Sequence, residues 1–193
     1  MRNFQRLATG VNVMPLMLAI QRRPELWKAD TFLRDYPQGP FGEIDSIILR
    51  FPDRPENFTE EQVELYKQNK LPGYDQHESK DQPAYAFLTE ARPLVMSTFA
   101  AVGGERLGRV MINRIAPGGR IYPHADTPEH VKYYSRVHIV LQSAPGVFFR
   151  CGHEEYYWET GSIFWFRNAE EHEIKNNSDT DRIHLVMDYR GAK

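Results

Sequence analysis

Short apolar segments alternate with turn signals throughout the second half of the chain, and this pattern constrains the fold more than any other feature. Residues with restricted or positive φ, which tight turns require, separate the segments at Pro117-Gly118, Pro145-Gly146, Gly161 and Asn176-Asn177. The segments predict strands at 107–116, 119–124, 133–143, 147–151, 155–159, 162–167, 172–176 and 182–189. A series of short strands with regular turns predicts a sandwich, a jelly roll or a barrel.

The first half of the chain has a mixed pattern that predicts helices around one extended segment. Helices are predicted at 15–22, 59–70 and 84–102, and a strand at 43–51. The second helix begins with Thr59-Glu60-Glu61-Gln62, a capping-box pattern, and Pro93 predicts a kink or a division of the third. We therefore expect one α+β domain over residues 1–193, with a mainly β core at 106–190 flanked by the N-terminal helices of 1–105.

Composition and charge exclude several classes of protein. The formal net charge is -2 and no basic stripe is present, so we expect no nucleic-acid partner. The longest apolar run, residues 13–20, contains Pro15 and is too short to cross a bilayer, so no membrane span is expected. Cys151 is the only cysteine, which excludes an internal disulfide and a cysteine-rich metal site. These features predict a cytoplasmic protein and do not indicate its oligomeric state.

Histidine is concentrated in the β-rich half, where six of the 7 histidines lie. Because alternate side chains of a strand share a face, Arg136 and His138 share one face of segment 133–143. Arg182 and His184 repeat this arrangement in segment 182–189. Two interpretations are open. The polar faces point to solvent, as in a half-buried antiparallel sheet, or they point into the barrel, where guanidiniums and imidazoles would form an anion site.

A possible metal site begins at the end of a predicted strand. His124 and Asp126 are two residues apart, so in extended backbone their side chains share a face. His172 begins another predicted strand. Two histidines and one carboxylate on one side of an ion form the facial triad of non-haem Fe(II) oxygenases, which leaves positions free for a cosubstrate and dioxygen. Simpler explanations are also open: an Asx-turn for Asp126, and capping of local backbone for His172.

Three segments of the β-rich half resemble the aspartyl/asparaginyl β-hydroxylase family. Residues 115–124, Ile-Ala-Pro-Gly-Gly-Arg-Ile-Tyr-Pro-His, resemble the approach to that family's first iron ligand. The segment Ser135-Arg136-Val137-His138 is similar to its Arg-x-His strand, and Glu171-His172-Glu173-Ile174 is similar to the segment with the distal iron histidine. The resemblance covers residues 107–189. It implies an Fe(II)- and 2-oxoglutarate-dependent dioxygenase, or hydroxylase, on a double-stranded β-helix (a cupin-like jelly roll).

The resemblance also implies roles for individual residues. His124, Asp126 and His172 would hold Fe(II) as the catalytic centre, at which O2 would also bind. The side chains implied to contact 2-oxoglutarate, with Arg182 at its far carboxylate, are Arg182, Arg136, His138 and Asn113. Some members of the family lack the carboxylate ligand that Asp126 supplies here. The first half of the chain would line the substrate entrance.

The sequence leaves the substrate open. Hydroxylation of a peptidyl Asp or Asn, a free amino acid or another small metabolite, with release of succinate and CO2, is the activity implied. Arg50, the only basic residue on the first-half strand, is a strand-end charge or reaches a substrate anion. The alternatives are a cupin-like protein that binds metal or a small anion without turnover, and a metal-dependent isomerase or a dioxygenase that needs no cosubstrate.

Other residues are assigned simpler roles. We expect His130 at the surface and the aromatic residues of the β half in the core. Cys151 and His153 form a thiol–imidazole pair in sequence, but nothing marks the third, orienting group that nucleophilic catalysis requires.

Overall fold

A computed structural model describes residues 2–35, 39–54 and 59–191. The strands are β1 (Phe4–Ala8), β2 (Ile44–Pro52), β3 (Ser79–Asp81), β4 (Gly104–Ile115), β5 (Arg120–His124), β6 (Ser135–Gln142), β7 (Val147–Cys151), β8 (Glu154–Tyr156), β9 (Ile163–Phe166), β10 (His172–Asn176) and β11 (Arg182–Gly191). The α-helices are α1 (Met14–Gln21), α2 (Phe32–Asp35), α3 (Glu60–Lys67), α4 (Pro83–Phe87), α5 (Ala91–Ala101) and α6 (Pro128–Tyr133), and a 3-10 helix spans Pro24–Lys28.

Antiparallel pairing joins the strands into a larger and a smaller sheet. Within the described residues, one sheet has 7 strands in the order β1-β9-β6-β11-β4-β2-β3, and the other has 4 in the order β5-β10-β7-β8. The strands of the larger sheet come from both halves of the chain, because β2 pairs with β4. This architecture is the mainly β jelly roll with N-terminal helices that the sequence predicts.

The two faces of the larger sheet have different neighbours. One apolar cluster joins residues of α1, α4 and α5 to the apolar face of β6 and β11, whose members are Val137, Ile139, Leu141, Ile183, Leu185 and Met187. A second cluster, with Phe4, Phe149, Trp158, Phe164 and Phe166, draws on strands of both sheets. Full burial of each large apolar side chain contributes about 1.5–3 kcal/mol. The helices thus cover the apolar face, and the polar face of β6 and β11 is left to point into the jelly roll.

This placement decides between the two interpretations of the polar strand faces. Arg136, His138, Arg182 and His184 are 8%, 5%, 1% and 2% exposed. The solvent-facing interpretation is therefore wrong, because the helices predicted in the first half occupy the opposite face of the same strands.

Most predicted elements are present with shifted boundaries. The capping box at Thr59 is formed, but α3 ends at Lys67, short of residue 70. Residues 84–102 divide into α4 and α5 before Pro93, which lies in the first turn of α5 where its missing N–H is tolerated. The sequence did not indicate β1 or α6, and α6 takes the first residue of the predicted strand 133–143. None of the helices in the described part of the chain has the length and apolar character needed to span a bilayer.

Candidate metal centre and adjoining cavities

His124, Asp126 and His172 converge at one edge of the smaller sheet. The strands β5 and β10 are paired so that His172 lies opposite His124. Asp126 follows β5, and the Asn168 amide donates a hydrogen bond of 2.8 Å to its Oδ2. One ligand atom from each of the three residues lies within 4.8 Å of the other two. The spacing is suitable for one metal ion.

Backbone contacts fix the orientation of both imidazoles. The Nδ1 of His124 lies 2.8 Å from the carbonyl oxygen of Tyr122, and the Nδ1 of His172 lies 2.9 Å from that of Glu170. Because a carbonyl oxygen can only accept, each Nδ1 carries the hydrogen and each Nε2 keeps its lone pair. Burial lowers the pKa of His124, and it lowers the pKa of His172 to about 4. Both imidazoles are therefore neutral at neutral pH, the state in which they bind metals.

Arg136 is held between two carboxylates of the protein. Its Nη1 lies 2.7 Å from Oδ2 of Asp126, and its Nε donates a 2.7 Å hydrogen bond to Oδ1 of Asp188. The other Asp188 oxygen lies 3.0 Å from Nε2 of His130. Although burial alone raises the pKa of both carboxyls, the charge of Arg136 holds both below their ordinary value. Asp126 is thus ionised and fixed in place.

Two residues need comment. Arg136, expected to contact a cosubstrate, lines the inner cavity described below, and its guanidinium is engaged by Asp126 and Asp188. The geometry favours a role in positioning the Asp126 carboxylate. His130, expected at the surface, is 2% exposed, because α6 places its ring against Asp188.

Arg182 is the opposite case: it is a buried cation that has no counterion among the described residues. It is 1% exposed, and its Nη2 contacts Nδ1 of His184 at 2.8 Å. Its Nε and Nη1 have no hydrogen-bond partner, and no carboxylate in the described ranges forms an ion pair with it. Burial lowers its pKa to about 9. Arg182 lines neither of the two cavities described below. Burying an unpaired charge is costly, so an anion that reached this guanidinium would relieve the cost.

Two adjoining cavities lie beside the three possible ligands. The inner cavity, of about 90 Å³, is lined by Asn113, His138 and all three of these ligands. The outer cavity, of about 350 Å³, shares His124 and Asp126 with the inner one.

The polar groups of the inner cavity lie on strands of the larger sheet. Asn113 is buried and accepts a 2.9 Å hydrogen bond from Ser46 at its Oδ1. Burial holds the pKa of His138 well below its ordinary value, so its ring is neutral. The inner cavity thus offers Asn113 and His138 as neutral polar groups, beside the charged Arg109 and Arg136 that also line it.

Arg50 does not join this site. It contacts Asp81, its Nη2 donates to the carbonyl oxygen of Ser79 at 2.7 Å, and it lines neither cavity. Its neighbour Phe51 lines both cavities, and adjacent residues of a strand point to opposite faces. The structure therefore does not bear out the expected contact between Arg50 and a substrate. Arg109 of β4 lines both cavities instead.

The sequence reasoning missed Arg109, Asp188 and Asn168. Arg109 and Asn113 lie on the same face of β4, and Asp188 continues the polar face of β11 beyond His184. Extending the alternation by four residues, from Asn113 and from His184, would have included Arg109 and Asp188. Asn168 lies in a turn, where no periodic signal exists.

The sequence is similar to those of known proteins. A family model described as aspartyl/asparaginyl beta-hydroxylase matches residues 55–191. The curated aspartyl/asparaginyl beta-hydroxylases of Mus musculus and Homo sapiens are each 24% identical to the chain over 94 residues, which is 49% of this chain. The matched part spans only 12% of the length of either relative.

Solved structures share the fold over nearly the whole chain. An oxidoreductase of the 2OG-Fe(II) oxygenase family from Burkholderia pseudomallei superposes with a TM-score of 0.55 at 16% identity, covering 95% of this chain and 92% of that one. A Pseudomonas putida prolyl-4-hydroxylase gives a TM-score of 0.53 at 13% identity, covering 99% and 94%. The viral collagen prolyl hydroxylase from Paramecium Bursaria Chlorella virus-1 gives 0.52 at 11% identity, covering 100% and 97%. At these identities the likeness concerns the fold, and it confirms the predicted fold class.

Proposed function

The chain belongs to the aspartyl/asparaginyl β-hydroxylase family, and from this premise we propose that it is an Fe(II)- and 2-oxoglutarate-dependent oxygenase that hydroxylates a small-molecule or peptide substrate. The observation that carries the proposal is the presence of a His-Asp-His cluster together with a buried arginine, Arg182, that lacks a counterion in the part of the chain that the structure describes. The cluster is suited to a metal, and Arg182 is suited to a carboxylate.

The donor set fits Fe(II). Two neutral imidazoles with free Nε2 lone pairs and one ionised carboxylate are the ligands of a facial triad. His124, Asp126 and His172 would hold the ion. When bound, Fe(II) with O2 supplies the oxidising chemistry, in which 2-oxoglutarate gives succinate and CO2 and one oxygen atom enters the substrate as a hydroxyl group.

The remaining residues bind, orient and shield. We assign Arg182 to the far carboxylate of 2-oxoglutarate, because a guanidinium binds a carboxylate through two parallel hydrogen bonds. Asn113 and His138 line the inner cavity and offer neutral polar contacts to the same molecule. The rings of Phe149 and Phe166 lie 5.5 Å and 5.3 Å from that of His138 and exclude water from this side of the cavity.

Arg136 orients rather than reacts in this proposal. Its guanidinium bridges the carboxylates of Asp126 and Asp188. The Asn168 amide donates to the same Asp126 oxygen, Oδ2, that Arg136 contacts. Groups that orient a metal ligand commonly change metal affinity about 10–100-fold when they are removed.

The setting of the activity is part of the proposal. Cys151 is buried and unpaired, which suits the reducing conditions of the cytoplasm. We further propose a single domain over residues 1–193, in which 1–105 form the support and the substrate entrance and 106–190 carry the metal and cosubstrate.

Succinate release from 2-oxoglutarate in the presence of Fe(II), O2 and ascorbate tests the proposal. We expect release by the wild type and a fall to the protein-free background in Asp126→Ala. Equal release by the two proteins would refute the assignment. Binding is measured in parallel as the thermal stabilisation that 2-oxoglutarate gives to the Mn(II)-loaded protein. It should disappear in Arg182→Gln and persist in Arg92→Gln, whose arginine is half-exposed on α5.

The same measurements separate the main alternative. A jelly roll that binds metal without turnover would show Mn(II) stabilisation but no response to 2-oxoglutarate and no succinate. An isomerase or a dioxygenase without a cosubstrate predicts the same lack of response, whereas the unpaired Arg182 argues for a second anion.

A further inference from the structure

Arg109 presents a positive charge to the outer cavity, and none of the described carboxylates pairs with it. It lies on β4 and lines both cavities. Its Nε is buried and lacks a hydrogen-bond partner, and over residues 2–35, 39–54 and 59–191 no acidic side chain forms an ion pair with it. Its guanidinium carbon lies 4.9 Å from the centroid of the Phe51 ring, which fixes its direction by a cation–π contact.

The surroundings leave this charge uncompensated. Asp126 is the carboxylate that lines the same cavities, and Arg136 engages it. Arg109 lies near His77 and Tyr134 and contributes weakly to their pKa values. Burial is the larger cause for both: it lowers the pKa of His77 and raises that of Tyr134 to about 12. Neither His77 nor Tyr134 offers a negative charge at neutral pH. An anion entering the outer cavity would therefore meet Arg109 as an available partner.

The rest of the outer cavity is mostly apolar. Its wall includes Phe32, Leu33, Phe41 and Phe51, and its volume of about 350 Å³ is in the range of small-molecule sites. The ring of Phe41 also lies 5.1 Å from that of His124. A molecule seated on this wall would lie next to the metal-ligand cluster.

We propose that Arg109 selects the substrate, and that the substrate is a small organic acid with one anionic group and an apolar portion. The anionic group pairs with Arg109, whose planar fork matches a carboxylate. The apolar portion packs on the ring of Phe51 and its aromatic and aliphatic neighbours, within reach of His124 and Asp126. This inference deepens the proposed function and rests on it for the identity of the reaction, whereas the binding preference can be measured without turnover.

Matched neutral and charged probes test the inference. The dissociation constants of 3-phenylpropionate and 3-phenylpropionamide are measured by calorimetry on protein loaded with Mn(II) and 2-oxoglutarate. The wild type should bind the acid at least about tenfold more tightly than the amide, and Arg109→Gln should reduce this preference to within about twofold. Arg109→Lys, which keeps the charge and loses the fork, should retain part of the preference.

A matched control comes from the same strand. Arg106 lies on β4, contacts the hydroxyl of Tyr133 and lines neither cavity, so Arg106→Gln should keep the preference of the wild type. The thermal stabilisation by 2-oxoglutarate should be unchanged in Arg109→Gln, which shows that this variant folds and that the cosubstrate site is intact.

Three results would overturn the inference. In the first, the wild type does not prefer the acid, or binds neither probe. In the second, Arg109→Gln keeps the preference for the acid. In the third, Arg109→Gln loses the thermal stabilisation by 2-oxoglutarate. Failure of the oxygenase proposal looks different: succinate release would be absent while the acid preference and its dependence on Arg109 persist.

Discussion

Replacing Asp188 by asparagine tests how Asp126 is held. Asp188 is completely buried, and it accepts from Arg136 and contacts His130. Asp188→Asn keeps the shape and removes the charge, so the buried guanidinium retains only Asp126 as a carboxylate partner. Removing one partner of a buried ion pair costs about 3–5 kcal/mol, and because the new amide oxygen can still accept one hydrogen bond we expect a loss of about 3 kcal/mol.

The same change should weaken the metal site. Arg136 is fixed from both sides, and without the Asp188 charge its guanidinium is free to shift relative to Asp126. A drop of about 10–100-fold in Mn(II) affinity is expected, as for other groups that orient a metal ligand. It is measured by metal titration at a temperature where the variant is folded.

Stability is measured by urea unfolding beside a matched control. Asp53 pairs with Lys80 at the surface, where the side chains are 59% and 56% exposed, so Asp53→Asn should cost less than about 1 kcal/mol. Because the folded-state pKa of Asp188 is depressed, its stabilisation is present above the unfolded-state value of about 4 and is lost as the pH falls below it. Asp188→Asn should lack this acid-dependent part. The reasoning is refuted if the two variants unfold at the same urea concentration, or if Asp188→Asn binds Mn(II) as the wild type does.

Three further predictions concern the framework, two of them measured by urea unfolding. A Cβ at Gly161, where φ is +83°, would lie 2.9 Å from the carbonyl oxygen of Val11. Gly161→Ala should therefore lower the free energy of unfolding by about 2 kcal/mol or more. Gly118→Ala should lower it by about 1 kcal/mol, because φ there is +79° and no atom lies within 4 Å of the added Cβ. Equal losses in the two variants would contradict the clash at Gly161. Phe164→Ala, between the sheets at 0% exposure, should cost about 3–5 kcal/mol, and a loss below about 1 kcal/mol would contradict its place in the core. Burial raises the pKa of the Cys151 thiol to about 11. The native thiol should therefore react with an aromatic disulfide about 100-fold more slowly than the thiol of the urea-unfolded chain, as measured by absorbance. Equal rates would contradict the burial of this thiol.

Strand alternation predicts which side chains share a face, but not which face is inside. The pattern around Arg136 and around Arg182 is the same whether the polar side faces solvent or the interior. The answer lies in the helices of the first half, which cover the apolar faces of β6 and β11. A sequence shows separately that each strand and each helix has an apolar face, whereas which helix face packs on which strand face depends on tertiary structure.

The ion pairs of the site were beyond sequence reasoning for a related reason. Arg136 and Asp188 are 52 residues apart in the chain and meet only because β6 pairs with β11. Register between distant strands is set by the whole sheet, and no local spacing encodes it. Alternation places Arg109 on the same face as Asn113, but only tertiary packing supplies the opposite wall and shows that this face borders a cavity.

Two arginines in similar Arg-x-His contexts thus have different physical situations. Arg136 is neutralised by two carboxylates of the protein, so it contributes structure whether or not a ligand is present. Arg182 is equally buried and lacks a carboxylate among the described residues, so the folded chain carries the desolvation cost of its charge until an anion arrives. An anion that binds there would supply the missing counterion and reduce this cost. A ligand that binds only the folded state stabilises it by about 2.7 kcal/mol when its concentration is 100 times its dissociation constant. We therefore propose that the response to 2-oxoglutarate depends on Arg182, and that the position of the Asp126 carboxylate depends on Arg136.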